Sequence, residues 1–322
     1  MRPTGPLHLG HWLGALRNWV QLQDAYECYF MVADLHALMG EYENPAQIEK
    51  SSMEMVMDWL ACGIDPEKSV LFVQSQIPEH AELAMILGMI TPLGWLERNP
   101  TYKEQLREIA GRDLTTYGFL GYPVLQAADI LLYKANKVPV GEDQLAHLEL
   151  AREILRRFEH FYKKSLFPEP EALLTEEPRL LGIDRRKMSK SYGNAINLSD
   201  SEDAVRKKVL SMITDPERIK MSDPGHPEVC NVFSYYQIFA DAPLTEKAHA
   251  WCAGAKLGCV DCKKTFAEVL IEALRPLMKR RREIAARPET VRQILQEGHG
   301  RAKARAEQTM REVKEFLHLV RI

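Results

Sequence analysis

Apolar residues in the first half of the chain alternate between two rhythms. Leu9, Leu13, Leu16 and Val20 recur at helical spacing, so residues 9–23 predict an amphipathic helix. Tyr29-Phe30-Met31-Val32-Ala33 is a continuous apolar run closed by Asp34, the pattern of a parallel strand buried on both faces. Residues 46–61 return to helical spacing and stop at Gly63 and Pro66. Val70-Leu71-Phe72-Val73 and Lys137-Val138-Pro139-Val140 supply two more strands, the last ending at Gly141. This alternation predicts an α/β fold, a parallel sheet covered by helices, with ligands outside the carboxyl ends of its strands. Residues 200–322 read as helical throughout, and the last helix carries Met310, Val313, Leu317 and Val320 on one stripe. Gly193 and Asn194 mark a boundary, so the expected division is 1–195 and 196–322.

With 322 residues the chain has room for two domains and a sizeable core. Its net charge of −3 hides an asymmetry: beyond Arg275, residues such as Lys279, Arg280, Arg281, Arg282, Arg301 and Lys303 face few acids. A basic end on an acidic body fits a polyanionic partner, although a solvated helical face would look the same. Met1-Arg2-Pro3-Thr4-Gly5 has no apolar segment behind it, and no apolar run approaches the roughly 20 residues that span a bilayer. A cytoplasmic protein with no membrane partner is expected. Its six cysteines then read as thiols or metal ligands rather than disulfides.

Three short strings carry candidate chemistry. In His8-Leu9-Gly10-His11 the leucine stripe can bury against the sheet while both imidazoles point outward at a helix N-terminus, which favours phosphate. Gly10 lets another group approach the backbone. Lys187-Met188-Ser189-Lys190-Ser191 offers two ammonium groups and two hydroxyls that can follow negative charge as it develops on a departing pyrophosphate. Gly141-Glu142-Asp143-Gln144 ends a strand with a glycine and acids, an arrangement suited to a ribose. Each string alone is also compatible with an ordinary surface loop. Tyr122, Gln126 and Asp129 form a polar row on one helix face, opposite Leu125, Ala128 and Leu132, and such a row suggests a ligand site.

In this order the segments resemble the class I aminoacyl-tRNA synthetases, and in detail the bacterial type of tryptophanyl-tRNA synthetases. The likeness runs through Arg2-Pro3-Thr4-Gly5, His8-Leu9-Gly10-His11, residues 32–38, 122–129 and 138–144, and the Lys187–Ser191 loop. It implies a Rossmann catalytic domain with a dimer-interface helical insertion, a helical domain that reads the anticodon, and a homodimer. It also implies ATP, Mg²⁺, L-tryptophan and tRNA(Trp). The tryptophan carboxylate would attack the α-phosphorus and release pyrophosphate; the terminal adenosine 2′-hydroxyl would then attack the adenylate. By motif position His8, His11, Lys187, Ser189 and Lys190 would serve catalysis. Arg2, Pro3, Thr4, Gly10, Gly141, Glu142, Asp143, Leu180, Met188 and Ser191 would join them in binding ATP. Asp129 would take the indole nitrogen, a donor only, with His36, Gln126 and Tyr122 lining the pocket.

The spacing of Cys230, Cys252, Cys259 and Cys262 is C-x21-C-x6-C-x2-C, which fits zinc or a [4Fe–4S] cluster equally well. A subset of the resembled family carries [4Fe–4S] on a pattern one residue longer at the first spacing, and iron–sulfur is the favoured expectation. Cys28 and Cys62 read as core. The family also places an apolar strand before Arg-Pro-Thr-Gly. Met1 stands directly before Arg2 here, so that strand is expected to be lacking and folding or ATP binding to be weaker. Competing functions are a tyrosyl-tRNA synthetase, a small nucleotidyltransferase sharing the His-x-Gly-His helix, and a non-catalytic synthetase relative that binds RNA or tryptophan as a regulator.

Overall fold

The first leucine stripe forms helix α1 over residues 9–22, built from Leu9–His11, a widened π-turn Trp12–Leu16 and Arg17–Leu22. Leu9, Leu13 and Leu16 are at most 1% exposed, so the stripe does bury. In this computed structural model the described residues are 1–100, 102–103, 115–174, 180–189 and 192–320. Strand β1, Cys28–Val32, leads into α2, Asp34–Glu41. Helix α3, Ile48–Cys62, stops at Gly63, whose φ of 108° closes the helix in the left-handed region. Strand β2, Ser69–Val73, precedes α4, Glu79–Gly88, and the short α5, Leu93–Glu97. Helix α6, Tyr117–Leu132, is capped by the Thr116 side chain and feeds β3, Lys137–Val140. Helix α7, Leu145–Tyr162, and strand β4, Glu171–Leu174, follow.

The strands pair in parallel as β1 with β2, from Cys28↔Ser69 to Val32↔Val73, and β3 with β4, from Lys137↔Glu171 to Val140↔Leu174. Among the described residues, three of the four strands fall where the apolar runs place them. The fourth, Glu-Ala-Leu-Leu, is four residues long, not buried, and without a β-branched side chain, so no pattern announces it. Met1 lies against β1: its amino group donates to Met31 O at 2.6 Å, and Ala33 N–H donates to Met1 O at 2.9 Å. Burial pushes that amine down to about 5 despite the attraction of Asp129.

Beyond residue 200 the chain is helical: α8 Glu202–Ser211, α9 Asn231–Phe239, α10 Ala242–Ala253, α11 Cys259–Ala285 and α12 Pro288–Phe316. Two of these helices close over the earlier half. Helix α11 is tied to α3 by Arg281, whose Nε donates to Asp58 Oδ1 at 2.6 Å and whose Nη2 pairs with Glu54. Burial holds the Asp58 carboxyl up at about 6 even beside that guanidinium. Helix α12 lies directly on the backbone of β2. A Cβ on Gly298 would stand 1.8 Å from Leu71 O, so only glycine permits this approach. Ala302, Ala306, Met310 and Val313 then share a core with Val70, Phe72 and Leu131. The expected stripe is cut short, because α12 ends at Phe316. Leu317 caps it, His318 adopts φ 55°, and Val320 is 89% exposed. Among the described residues no helix is long and apolar enough to cross a membrane.

Candidate active site

The histidine turn and the lysine loop meet because the strands beside them zip together. Leu9 N–H donates to Ile196 O at 3.0 Å and Leu198 N–H to Leu7 O at 2.9 Å, with His8 opposite Asn197 in an antiparallel bridge. Leu7, Leu9 and Ile196 are fully buried, so this ladder is dry. A Cβ on Gly10 would lie 3.9 Å from Met188 Sδ. The two motifs therefore stand side by side, with the methionine of one facing the bare Cα of the glycine of the other.

His8 is the N-cap of α1, and His11 Nδ1 accepts its backbone N–H at 3.2 Å in a reciprocal capping box. The two rings lie 3.8 Å apart. Only His11 keeps an open flank. His8 is 7% exposed, which corrects the expectation that both imidazoles point outward: the cap turns its ring back onto the helix. Met188 is sunk into the core with Leu7, Leu9 and Leu180, and this leaves Lys187 exposed above it. Lys190 and Ser191 lie outside the described residues.

Asn194, 2% exposed, organises the lysine loop. Its Oδ1 accepts Ser189 N–H at 2.9 Å, and its Nδ2 donates to Asp184 Oδ1 at 2.7 Å and to Lys187 O at 3.2 Å. Burial would raise the Asp184 carboxyl, but hydrogen bonds from Asn194 and Arg186 hold it below its ordinary value. Gly182 is obligatory beneath this knot, since a Cβ there would lie 2.4 Å from the Asn194 side chain. At the end of β3, Gly141, Glu142 and Asp143 are exposed, as are Arg2 and Thr4, whereas Pro3 is buried. A Cβ on Gly141 would stand 2.7 Å from Asp143 Oδ1.

A second polar centre surrounds Asp129. Its Oδ1 receives His80 Nδ1 at 2.7 Å and Gln74 Nε2 at 2.8 Å; its Oδ2 receives His36 Nε2 at 2.9 Å and the same Gln74 nitrogen at 2.9 Å. Burial disfavours the charge, but the His36 and His80 hydrogen bonds prevail and hold this carboxyl down at about 2. Gln74 and His80 are fully buried, while the His36 side chain retains 10% exposure. Tyr122 contacts His147 Nε2 at 3.0 Å, and His147 Nδ1 meets Asn99 at 3.1 Å. Burial lowers the His147 imidazole. Gln126 is half-buried on the same face of α6, and Leu125, Ala128 and Leu132 are buried on the other.

Cys230, Cys252, Cys259 and Cys262 line a single cavity together with Arg218, Tyr236 and Trp251. Arg218 Nη1 approaches Cys259 Sγ at 3.8 Å, and Gly225 makes room for Cys252, whose Sγ lies 2.5 Å from where a Cβ would stand. Burial pushes the Cys230, Cys252 and Cys262 thiols up, the last to about 11. Among the described residues no three ligand side chains are gathered as a set for one metal ion.

A family profile described as tRNA synthetases class I (W and Y) matches residues 1–275. The tryptophan–tRNA ligase of Thermotoga maritima is 51% identical over 323 residues, covering 99% of this chain and 98% of that protein. The chain belongs to the class I tryptophanyl-tRNA synthetases. The ligase of Aquifex aeolicus is 44% identical, covering 99% of this chain and 98% of its own length. Among solved structures, the tryptophanyl-tRNA synthetase of Campylobacter jejuni, complexed with ADP and tryptophan, superposes with a TM-score of 0.91 at 31% identity. That match covers 99% of this chain and 98% of the other. A tyrosyl-tRNA synthetase from Archaeoglobus fulgidus, at TM-score 0.65 and 22% identity, shares the fold.

Within this synthetase, sequence reasoning missed Gln74, His80, Tyr133, His147, Asn99 and Asn194. Gln74 had a usable signal, since it follows the carboxyl end of β2 as Asp34 follows β1 and Gly141 follows β3. The others had none, because each is defined by partners distant in sequence.

Replacing Asn194 with alanine removes the side-chain acceptor of the Ser189 N–H. Hydrogen exchange at the Ser189 amide should accelerate by about three- to tenfold, the worth of one ordinary hydrogen bond. Unchanged exchange would show that Asn194 does not order the loop.

Proposed function

We propose that the two polar centres divide the work of this tryptophan–tRNA ligase, an ATP-dependent enzyme. His11, Gly10 and the exposed Lys187 handle the triphosphate with Ser189, Lys190 and Ser191, and Mg²⁺ accompanies ATP. Gly141, Glu142 and Asp143, at the end of β3, face the ribose, and Arg2, Pro3 and Thr4 run beside the nucleotide. His8 acts through its cap, setting the start of α1. Activation then needs no covalent enzyme intermediate: the tryptophan carboxylate attacks the α-phosphorus, pyrophosphate leaves, and the tRNA 2′-hydroxyl displaces AMP from the adenylate. The observation that carries this reading is the ladder between residues 7–9 and 196–198, which sets Met188 beside Gly10 and brings the two phosphate-handling motifs together. It also favours an enzyme over a regulator that only binds RNA or tryptophan.

Asp129 recognises the indole N–H, with His36, Gln126 and Tyr122 around it. A carboxylate has about four lone-pair directions, and all four are occupied. An incoming donor must displace one partner, and His36 is the one not fully sealed. Pyrophosphate exchange measured with each amino acid should respond to tryptophan. Asp129→Ala should raise the KM for tryptophan about ten- to a hundredfold, the loss of a hydrogen bond to a charged group, while the KM for ATP stays nearly constant. Equal kinetics for both substrates would remove Asp129 from this role.

The helices beyond residue 195 read the anticodon of tRNA(Trp), and the four-cysteine cavity stiffens them by holding [4Fe–4S]. One observation supports this fit: all four thiols line one cavity. The cluster would act as a cross-link between the N-termini of α9 and α11 and the end of α10. Anaerobically purified protein should be brown, absorb near 400 nm and contain iron; colourless protein with stoichiometric zinc would overturn the assignment and favour the zinc alternative.

A homodimer is supported by an apolar patch on and after α4, where Met85, Met89 and Leu93 are 61%, 76% and 60% exposed. Sedimentation should report a dimer that Met89→Glu weakens, and a wild-type monomer at micromolar concentration would rule it out.

A further inference from the structure

Behind Asp129, on the side away from the pocket, the polar chain continues. His80 is completely buried in the first turn of α4, and both ring nitrogens are engaged. Nδ1 meets Asp129 Oδ1 at 2.7 Å and Nε2 meets the Tyr133 hydroxyl at 2.8 Å. The charges decide the direction of these bonds. An ionised carboxylate can only accept, so Nδ1 carries the proton. With Nδ1 donating, the uncharged form of the ring offers Nε2 as the acceptor of the Tyr133 O–H. Burial raises the Tyr133 phenol, so its proton stays in place. The Tyr133 ring is fixed independently, lying against Tyr29 at 4.8 Å and Phe72 at 5.2 Å between centroids.

We propose that His80 and Tyr133 are positioning residues for amino-acid selection: the relay from the Tyr133 hydroxyl through the His80 ring fixes Asp129 as an acceptor, with Oδ2 turned to the open side of the pocket. The proposal rests on the reading of Asp129 as the partner of the indole N–H. Neither residue touches the substrate, because His80 is sealed and Tyr133 is 7% exposed on the far side of it. Their effect is to keep Oδ1 fully engaged from behind. Only Oδ2, shared with the less enclosed His36, can then exchange a partner for the ligand. Without the Tyr133 hydroxyl, His80 Nε2 loses its partner in a sealed site and the ring is no longer held from behind against Oδ1. Asp129 would then shift or take a proton, which leaves a poorer acceptor for a donor-only ring.

The test is pyrophosphate exchange by the full chain, with tryptophan and ATP varied separately, for Asp129→Ala, Tyr133→Phe, His80→Leu and His80→Asn. Tyr133→Phe preserves the ring packing and removes only the hydroxyl. It should raise the KM for tryptophan about three- to tenfold, leave the KM for ATP within twofold, and keep the melting temperature close to that of the parent. His80→Leu should raise the tryptophan KM further, and His80→Asn, whose amide N–H can still reach Asp129, should recover part of the loss. A merely structural role predicts something else: lower melting temperatures with both KM values moving together, or no rescue by asparagine. Either result overturns the proposal, as does an unchanged tryptophan KM in Tyr133→Phe. If His80→Leu fails to fold, Tyr133→Phe alone decides. If Asp129→Ala itself leaves the tryptophan KM unchanged, the pocket reading fails and takes this proposal with it; if only Asp129→Ala raises it, the relay alone is wrong.

Discussion

Two backbone hydrogen bonds between residues 7–9 and 196–198 bring the histidine turn and the described part of the lysine loop together. The histidine turn begins inside this short antiparallel ladder, and the lysine loop returns to it through Asn194 and Ala195. Because Leu7, Leu9, Ile196 and Leu198 are buried, no water competes for the ladder, and a shift in register would expose apolar side chains on one side and bury polar ones on the other. Met188 reinforces the same constraint from within the loop. It is held in the leucine core, and that anchorage leaves the neighbouring Lys187 side chain in the open, where an anion can reach it.

The proposed amino-acid end, around Asp129, is built by the opposite strategy. A carboxylate is taken almost wholly out of water and supplied with donors from α2, α4 and the end of β2, so that its charge is retained through hydrogen bonds rather than through an adjacent lysine or arginine. Such a site favours a ligand with a hydrogen-bond donor and penalises one that leaves the carboxylate unpaired. The proposed nucleotide end, by contrast, leaves the Lys187 side chain exposed to solvent. One half of the proposed site is sealed and the other open.

The helical second half is part of both arrangements. Helix α12 rests on β2 through Gly298, so the strand whose end supplies Gln74 is packed from behind by the far end of the chain. Arg281 secures α11 to α3 through Asp58, a buried pair whose stabilising role lies mainly in the penalty for separating it. The parts that read as a separate helical block in the sequence share cores with the sheet and the helices around it.

Strands β1, β2 and β3, the leucine face of α1 and the polar row on α6 were legible in the sequence because each is a local periodicity: the residues that reveal the element are the residues that form it. The glycine and lysine strings stood out as candidates for a similar reason, since close approach and phosphate charge would require particular side chains in a short span. Tertiary structure alone decided the rest. It turned His8 inward through its cap, ended the last helix before Val320, and made β4 from four residues with no strand pattern. It also gathered Gln74, His80 and Tyr133 behind Asp129. These outcomes depend on partners far away along the chain, and a side chain's hydrogen-bonding role has no periodicity to betray it before folding brings those partners within reach.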